Sequence, residues 1–195
     1  MEKAAIILMD FVNDVVHPEG RFAFSATVVQ NRKTIDKVNQ LIQFGRSHHY
    51  PIIFVIMGFS PDYREAPFHS PLFSIYKEKK AFLLNTWGCA LYESIQKKEE
   101  DYVVIKHRIS AFYGTNLDPI LRSNRIERIY VAGVATDMSV QSTIRDAHDR
   151  DYKVTCVADA CASRDQITHD AALLSIRRIA NIMTASELPT IRMSW

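Results

Sequence analysis

The sequence predicts a single-domain, three-layer α/β/α fold of Rossmann-like type, with six mainly parallel strands in the order 3-2-1-4-5-6. Three observations carry this expectation. Short apolar runs recur along the chain, each bounded by polar or turn residues, as strands buried on both faces require. Amphipathic stretches of helical period alternate with them. The 195 residues, 47% hydrophobic, suffice for one sizeable core, and no repeat, low-complexity stretch or linker divides them.

Residues 4–9 form the first apolar run and end in Asp10. Such a strand delivers a polar residue at its carboxyl end, the edge at which open α/β sheets bind ligands. Residues 11–24, with Asn13, Asp14, His17, Pro18 and Gly20, read as a loop over that edge. Between 28 and 48, Val28, Ile35, Val38, Leu41 and Ile42 recur at helical spacing, which predicts one amphipathic helix stopped by Pro51. Residues 52–57 are the second strand, and 58–71, rich in proline, serine and aromatics, are a loop leaving the same edge. After Thr86-Trp87-Gly88-Cys89 a short helical stretch is expected through Ile95.

The third strand, 102–105, ends in Lys106. A short helix follows over 117–123 with Asn116 as its cap, then a fourth strand over 129–132. Residues 131–140 carry this strand into a small-residue turn and open a helix running to about His148, with Ser139 in its first turn. A helix start offers unpaired N–H groups and a partial positive charge, so it favours a nucleophile or an anion. Residues 153–157 are the fifth strand, 165–180 a helix capped by Asp165, and 181–184 a short sixth strand.

Composition excludes several classes of function. The formal charge is +2 and the basic residues are scattered singly, so no footprint for nucleic acid exists. The longest apolar runs fall far short of the ~20 residues of a membrane helix. The first residues lack a signal peptide's length and cleavage site, so a cytoplasmic location is expected. Cys89, Cys156 and Cys161 have no metal-ligand spacing and read as reduced, buried thiols.

Asp10, Lys106 and Ser139 each end a strand or open the next helix on the ligand-binding edge, so a doubly wound sheet would bring them together. Singly, each has a plainer reading, as a turn cap, a solvated edge lysine and a helix cap. Together, a carboxylate, an ammonium and a hydroxyl at a helix start suit covalent acyl transfer. The acid takes the nucleophile's proton and backbone N–H groups receive the oxyanion.

These residues lie in ordered motifs: the strand ending in Asp10 with Asn13-Asp14 after it, Lys106-His107-Arg108-Ile109-Ser110-Ala111-Phe112, and Gly133-Val134-Ala135-Thr136-Asp137. Asp159-Ala160-Cys161-Ala162-Ser163, with His169 downstream, is a further match. In these motifs the chain resembles, over essentially its whole length, the isochorismatase-like cysteine hydrolases, which include nicotinamidases, N-carbamoylsarcosine amidases and ureidoacrylate amidohydrolases. The resemblance implies an Asp-Lys-Cys triad with Asp10 as general base and Lys106 as the partner that steadies the site. It also implies a cis Val134–Ala135 bond, and an oxyanion hole from the N–H groups of Ala135 and Ser139.

The departure falls on the nucleophile, where the family's cysteine position holds Ser139. A free thiol has a pKa near ~8.5 and is easily lowered, whereas an alcohol is far less acidic. Three explanations stand: a replaced cysteine, a natural serine nucleophile, or a non-catalytic binding relative. The implied reaction is hydrolysis of a C–N bond in a small amide, ureido or carbamoyl substrate; the alternative is vinyl ether hydrolysis of isochorismate. Trp87 and Phe112, with Tyr113 and Phe59, are the expected walls of a substrate pocket, and the loops 11–24 and 58–84 are expected to set substrate identity. Arg108 is the expected partner of a substrate carboxylate, ahead of Arg64 and Arg145, which lie outside the motifs. No cofactor is implied. Nicotinamidases of the family bind a metal through an Asp-x-His pair and a later His; Asp62 and His69 do not form that pair, so no metal is expected. A homodimer or homotetramer follows from the resemblance.

Overall fold

A computed structural model of the chain describes residues 2–190. Six strands form one parallel sheet: β1 (Ala4–Met9), β2 (Ile52–Met57), β3 (Tyr102–Lys106), β4 (Arg128–Gly133), β5 (Lys153–Val157) and β6 (Asn181–Met183). Their order is β3-β2-β1-β4-β5-β6, as predicted. Every residue of β1 is buried, which is why it reads as an unbroken apolar run. Met9 pairs with Val55 on one side and Gly133 on the other, and Met57 with Lys106, so four strands deliver their carboxyl ends to one edge.

The helices are α1 (Asn13–Val16), α2 (Ala26–Asn31), α3 (Thr34–Ser47), α4 (Pro71–Glu78), α5 (Leu117–Ser123), α6 (Gln141–His148) and α7 (Gln166–Ile176). The apolar stripe of α3, with Val38, Leu41 and Ile42 fully buried, packs on β1 and β2, while α6 packs on β5 and α7. No helix among the described residues is long and apolar enough to cross a membrane.

Several expectations are corrected. The single helix over 28–48 is two, because Lys33 takes a left-handed conformation (φ 51°) that ends α2 and restarts the chain in α3. The loop leaving β2 contains α4, opened by Pro71, whose fixed φ and missing N–H suit a first helical position. Past Trp87 the chain makes one tight turn, Trp87–Cys89, and no longer helix. There the Ala90 carbonyl accepts from Asn13 N–H and Leu91 bridges Val12, so these backbone groups pair with the α1 segment. Asn116 caps nothing with its side chain, and Thr115 Oγ1 receives Leu117 N–H at 3.2 Å. Asp165 does cap α7, accepting from Thr168 N–H at 2.7 Å, but the helix ends at Ile176. The helix expected from the turn at 133–136 begins as a wide turn over Thr136–Val140 and becomes regular only at Gln141.

Candidate active site

The site forms where β1, β3 and β4 end. Asp10 follows β1 in a left-handed conformation (φ 59°), which Asp tolerates better than most residues. β2 holds it in place, with the Val55 carbonyl accepting its N–H at 2.9 Å and Met57 N–H donating to Oδ1 at 2.8 Å. Its other oxygen, Oδ2, receives Lys106 Nζ at 2.7 Å and the Ser139 hydroxyl at 2.6 Å. Lys106 is 0% exposed and donates also to Ser139 Oγ at 2.9 Å and to the Ile109 carbonyl at 3.0 Å. Three N–H donors thus meet three acceptors, and a lysine this buried is tolerable because a carboxylate stands against it.

Ser139 is set in place by its turn. The Val134–Ala135 peptide is cis, and the Ala135 carbonyl accepts from both Met138 and Val140 N–H at 3.2 Å. Gly133 is required before it, since a Cβ there would lie 2.8 Å from Met9 Cβ and 2.9 Å from the Met9 carbonyl oxygen. Behind the turn, Thr136 Oγ1 hydrogen-bonds His169 Nδ1 at 2.8 Å and Thr136 N–H reaches the Ala162 carbonyl at 2.9 Å. Burial, with the Arg32 charge adding to it, lowers the His169 pKa to about 4, so the ring is neutral at pH 7.

Over Ser139 lies a cavity of about 300 Å³. Asp10, Val134, Ala135 and Ser139 line it together. Its apolar wall comes from Phe22, Phe24, Leu72, Tyr76 and Phe82, and Ser25, Asp137 and Arg164 contribute polar groups. Asp14 anchors this wall: it is buried, its Oδ1 accepts from Arg21 N–H at 3.1 Å and its Oδ2 from Phe82 N–H at 2.7 Å. Its own carbonyl takes Phe22 N–H at 2.8 Å.

The structure brings Asp10, Lys106, Ser139, Val134 and Ala135 together but not the expected pocket walls. Trp87 is 52% exposed and sets its ring edge-on to His17 at 5.0 Å. Phe112 stacks on Tyr152 at 5.9 Å on another flank, Tyr113 is 65% exposed, and Phe59 is core. Arg108 gives its Nη1 to the Glu65 and His107 carbonyls, each at 2.7 Å, and does not line the cavity. Motif adjacency does not dictate which way a side chain faces. Asp62 bonds Arg64 at 3.2 Å, and His69 packs against Phe68. The walls come instead from within 11–24 and 58–84, the two loops expected to set substrate identity, but from residues not singled out there: Phe22, Phe24, Leu72, Tyr76 and Phe82.

None of the thiols stands in for Ser139. Cys89 is buried, donates to the Met57 carbonyl at 3.2 Å, and is pushed up to about 12 by burial, with the Asp14 and Asp10 carboxylates adding to it. Cys156 and Cys161 are 4.0 Å apart in the core, where their mutual hydrogen bond and burial hold the Cys156 thiol protonated.

Sheet, triad and cavity define an α/β protein with a polar strand-end site of hydrolase type. Residues 4–187 match the Isochorismatase domain model, and the chain belongs to that family. It is similar to a protein named probable inactive nicotinamidase from Arabidopsis thaliana, 27% identical over 178 residues, 90% of this chain and 88% of that one. The ureidoacrylate amidohydrolase RutB of Acinetobacter baylyi is 26% identical over 190 residues, covering 90% of this chain and 78% of its own. The crystal structure of N-carbamoylsarcosine amidase from Thermoplasma acidophilum has a TM-score of 0.79 at 29% identity, covering 95% of this chain and 98% of that one. The family is thus one of hydrolases with amide-cleaving members.

Proposed function

We propose that this chain hydrolyses the C–N bond of a small amide, ureido or carbamoyl substrate through an acyl-enzyme on Ser139. The observation that carries this reading is the Ser139 hydroxyl, held at 2.6 Å from Asp10 Oδ2 and 2.9 Å from Lys106 Nζ. As Oγ attacks the carbonyl carbon, its proton passes to Asp10 and the carbonyl oxygen takes the negative charge, received by the Ala135 and Ser139 N–H groups. The intermediate collapses with cleavage of the C–N bond, and the proton on Asp10 leaves with the nitrogen. Water then attacks the ester, giving its proton to Asp10, and Ser139 Oγ departs with that proton. Lys106 acts as a fixed positive charge, since its donors are already committed.

The arrangement suits a thiolate better than an alkoxide, because a thiol loses its proton to a carboxylate far more readily. Mass spectrometry should detect an acyl adduct on Ser139 from a panel of small amides, and Ser139→Cys should raise the rate of ammonia release. A Ser139→Cys variant inactive across that panel, with ligands still bound, would overturn the reading in favour of a binding protein. Pyruvate release from isochorismate in the same assays would instead favour vinyl ether hydrolysis.

A further inference from the structure

Helix α7 is apolar on two opposite faces. Inward, Ala172 and Ile176 are buried together with His169, which reaches Thr136 behind the Ser139 turn. Outward, Ile167, Ala171 and Leu174 follow one another at intervals of four and three residues, so they form one stripe along the helix. All three are exposed, Ile167 by 83% and Leu174 by 60%. One apolar stripe is enough to hold a surface helix on its own core; a second stripe on the far side marks a face that another molecule covers.

The flanks of the stripe identify that molecule. One flank is closed by α6: Arg145 Nη2 donates to the Ser175 carbonyl at 3.2 Å, and the Ser175 hydroxyl to Gln141 Oε1 at 3.0 Å. The open flank carries Asp170 and, two turns on, Arg177. Asp170 accepts from Gln166 Nε2 at 2.7 Å but is in no ion pair, and neither Arg177 nor Arg178 has an ion pair or a side-chain hydrogen bond among the described residues. When two copies of a helix pair antiparallel about a two-fold axis, like edges meet with their ends reversed. Asp170 of each copy then stands against Arg177 of the other. Leu174 of each seats over the small Ala171 of the other, and Ile167 lies on the stem of the other copy's Arg178. A parallel pair would instead press the open flank against the one that α6 occupies.

We propose that the outer face of α7 is the contact of a homodimer, its apolar stripe paired antiparallel with that of a second copy and closed on the open flank by two Asp170–Arg177 ion pairs. The second copy is the occupant that the stripe fits, because the pattern of charge and size along this one helix is complementary to itself.

Sedimentation velocity of the full chain at micromolar concentrations should show a dimer. Leu174→Asp and Ile167→Asp, both at exposed positions, should raise its dissociation constant at least about tenfold and leave the far-ultraviolet circular dichroism unchanged. Asp170→Arg and Arg177→Asp should each weaken association about threefold or more by setting like charges face to face, and the double variant Asp170→Arg/Arg177→Asp should restore it. A chain still monomeric at about 100 µM would overturn the proposal. So would a dimer that Leu174→Asp and Ile167→Asp together fail to loosen, or a charge exchange that does not restore association. A monomer that dimerises only once residues 191–195 are removed would give the stripe to the chain's own end and overturn it equally.

Discussion

Lys106 has no exposed surface and Asp10 almost none, so each carries a charge that the interior tolerates only because the other is present. Replacing Lys106 by Met should therefore destabilise the fold by about 3 kcal/mol in denaturant titrations, and it should abolish amide turnover. The Asp10→Asn/Lys106→Met pair should cost less than the sum of its single changes. His169 behaves differently because its partner is a hydroxyl. Its pKa falls from about 6.5 unfolded to about 4 in the fold, so folding favours the neutral ring. That contribution is complete above pH 6.5 and is lost as pH falls from 6.5 to 4, about 3 kcal/mol in all. Urea midpoints of the wild-type chain and His169→Gln at pH 7 and 4.5 should show a smaller acid loss in the variant.

At the scale of elements, the turn that carries Ser139 depends on how closely β1 and β4 approach. A methyl group at position 133 would press on the Met9 backbone, so Gly133→Ala should cost about 1–3 kcal/mol and displace residue 139. Melting temperature and ammonia release measured together should fall together. The break between α2 and α3 offers the opposite case. Lys33 has φ 51°, where glycine meets no Cβ penalty, so Lys33→Gly should stabilise by roughly 0.5–1 kcal/mol in chemical denaturation. That break was illegible in the sequence, because the apolar spacing of Val28, Ile35 and Val38 continues across it while one backbone angle changes.

For the whole molecule, the sheet was legible because its central strands are buried on both faces and therefore apolar without interruption. Asp10 and Lys106 were legible as the polar residues that end apolar runs at one edge, and Ser139 as the hydroxyl in the turn that follows the fourth strand. The stretches that build the cavity wall were legible as loops at that edge, but the residues that face inward were not, since they are set by how those connections fold over it. Phe22 and Tyr76 belong to such connections, and no spacing links them, whereas Trp87 and Arg108 sat in recognisable motifs and face elsewhere.

Asp14 gives that wall its permanence. One carboxylate holds the amides of Arg21 and Phe82, far apart in sequence, and a Cβ on Gly88 would lie 2.4 Å from its Oδ2. What is held is main chain, so the half-buried and exposed side chains displayed from it, Phe22 and Phe24, can be exchanged without loosening it. Descendants of this sequence can acquire new chemical tastes by altering residues 22 and 24 while the frame that presents them is inherited unchanged.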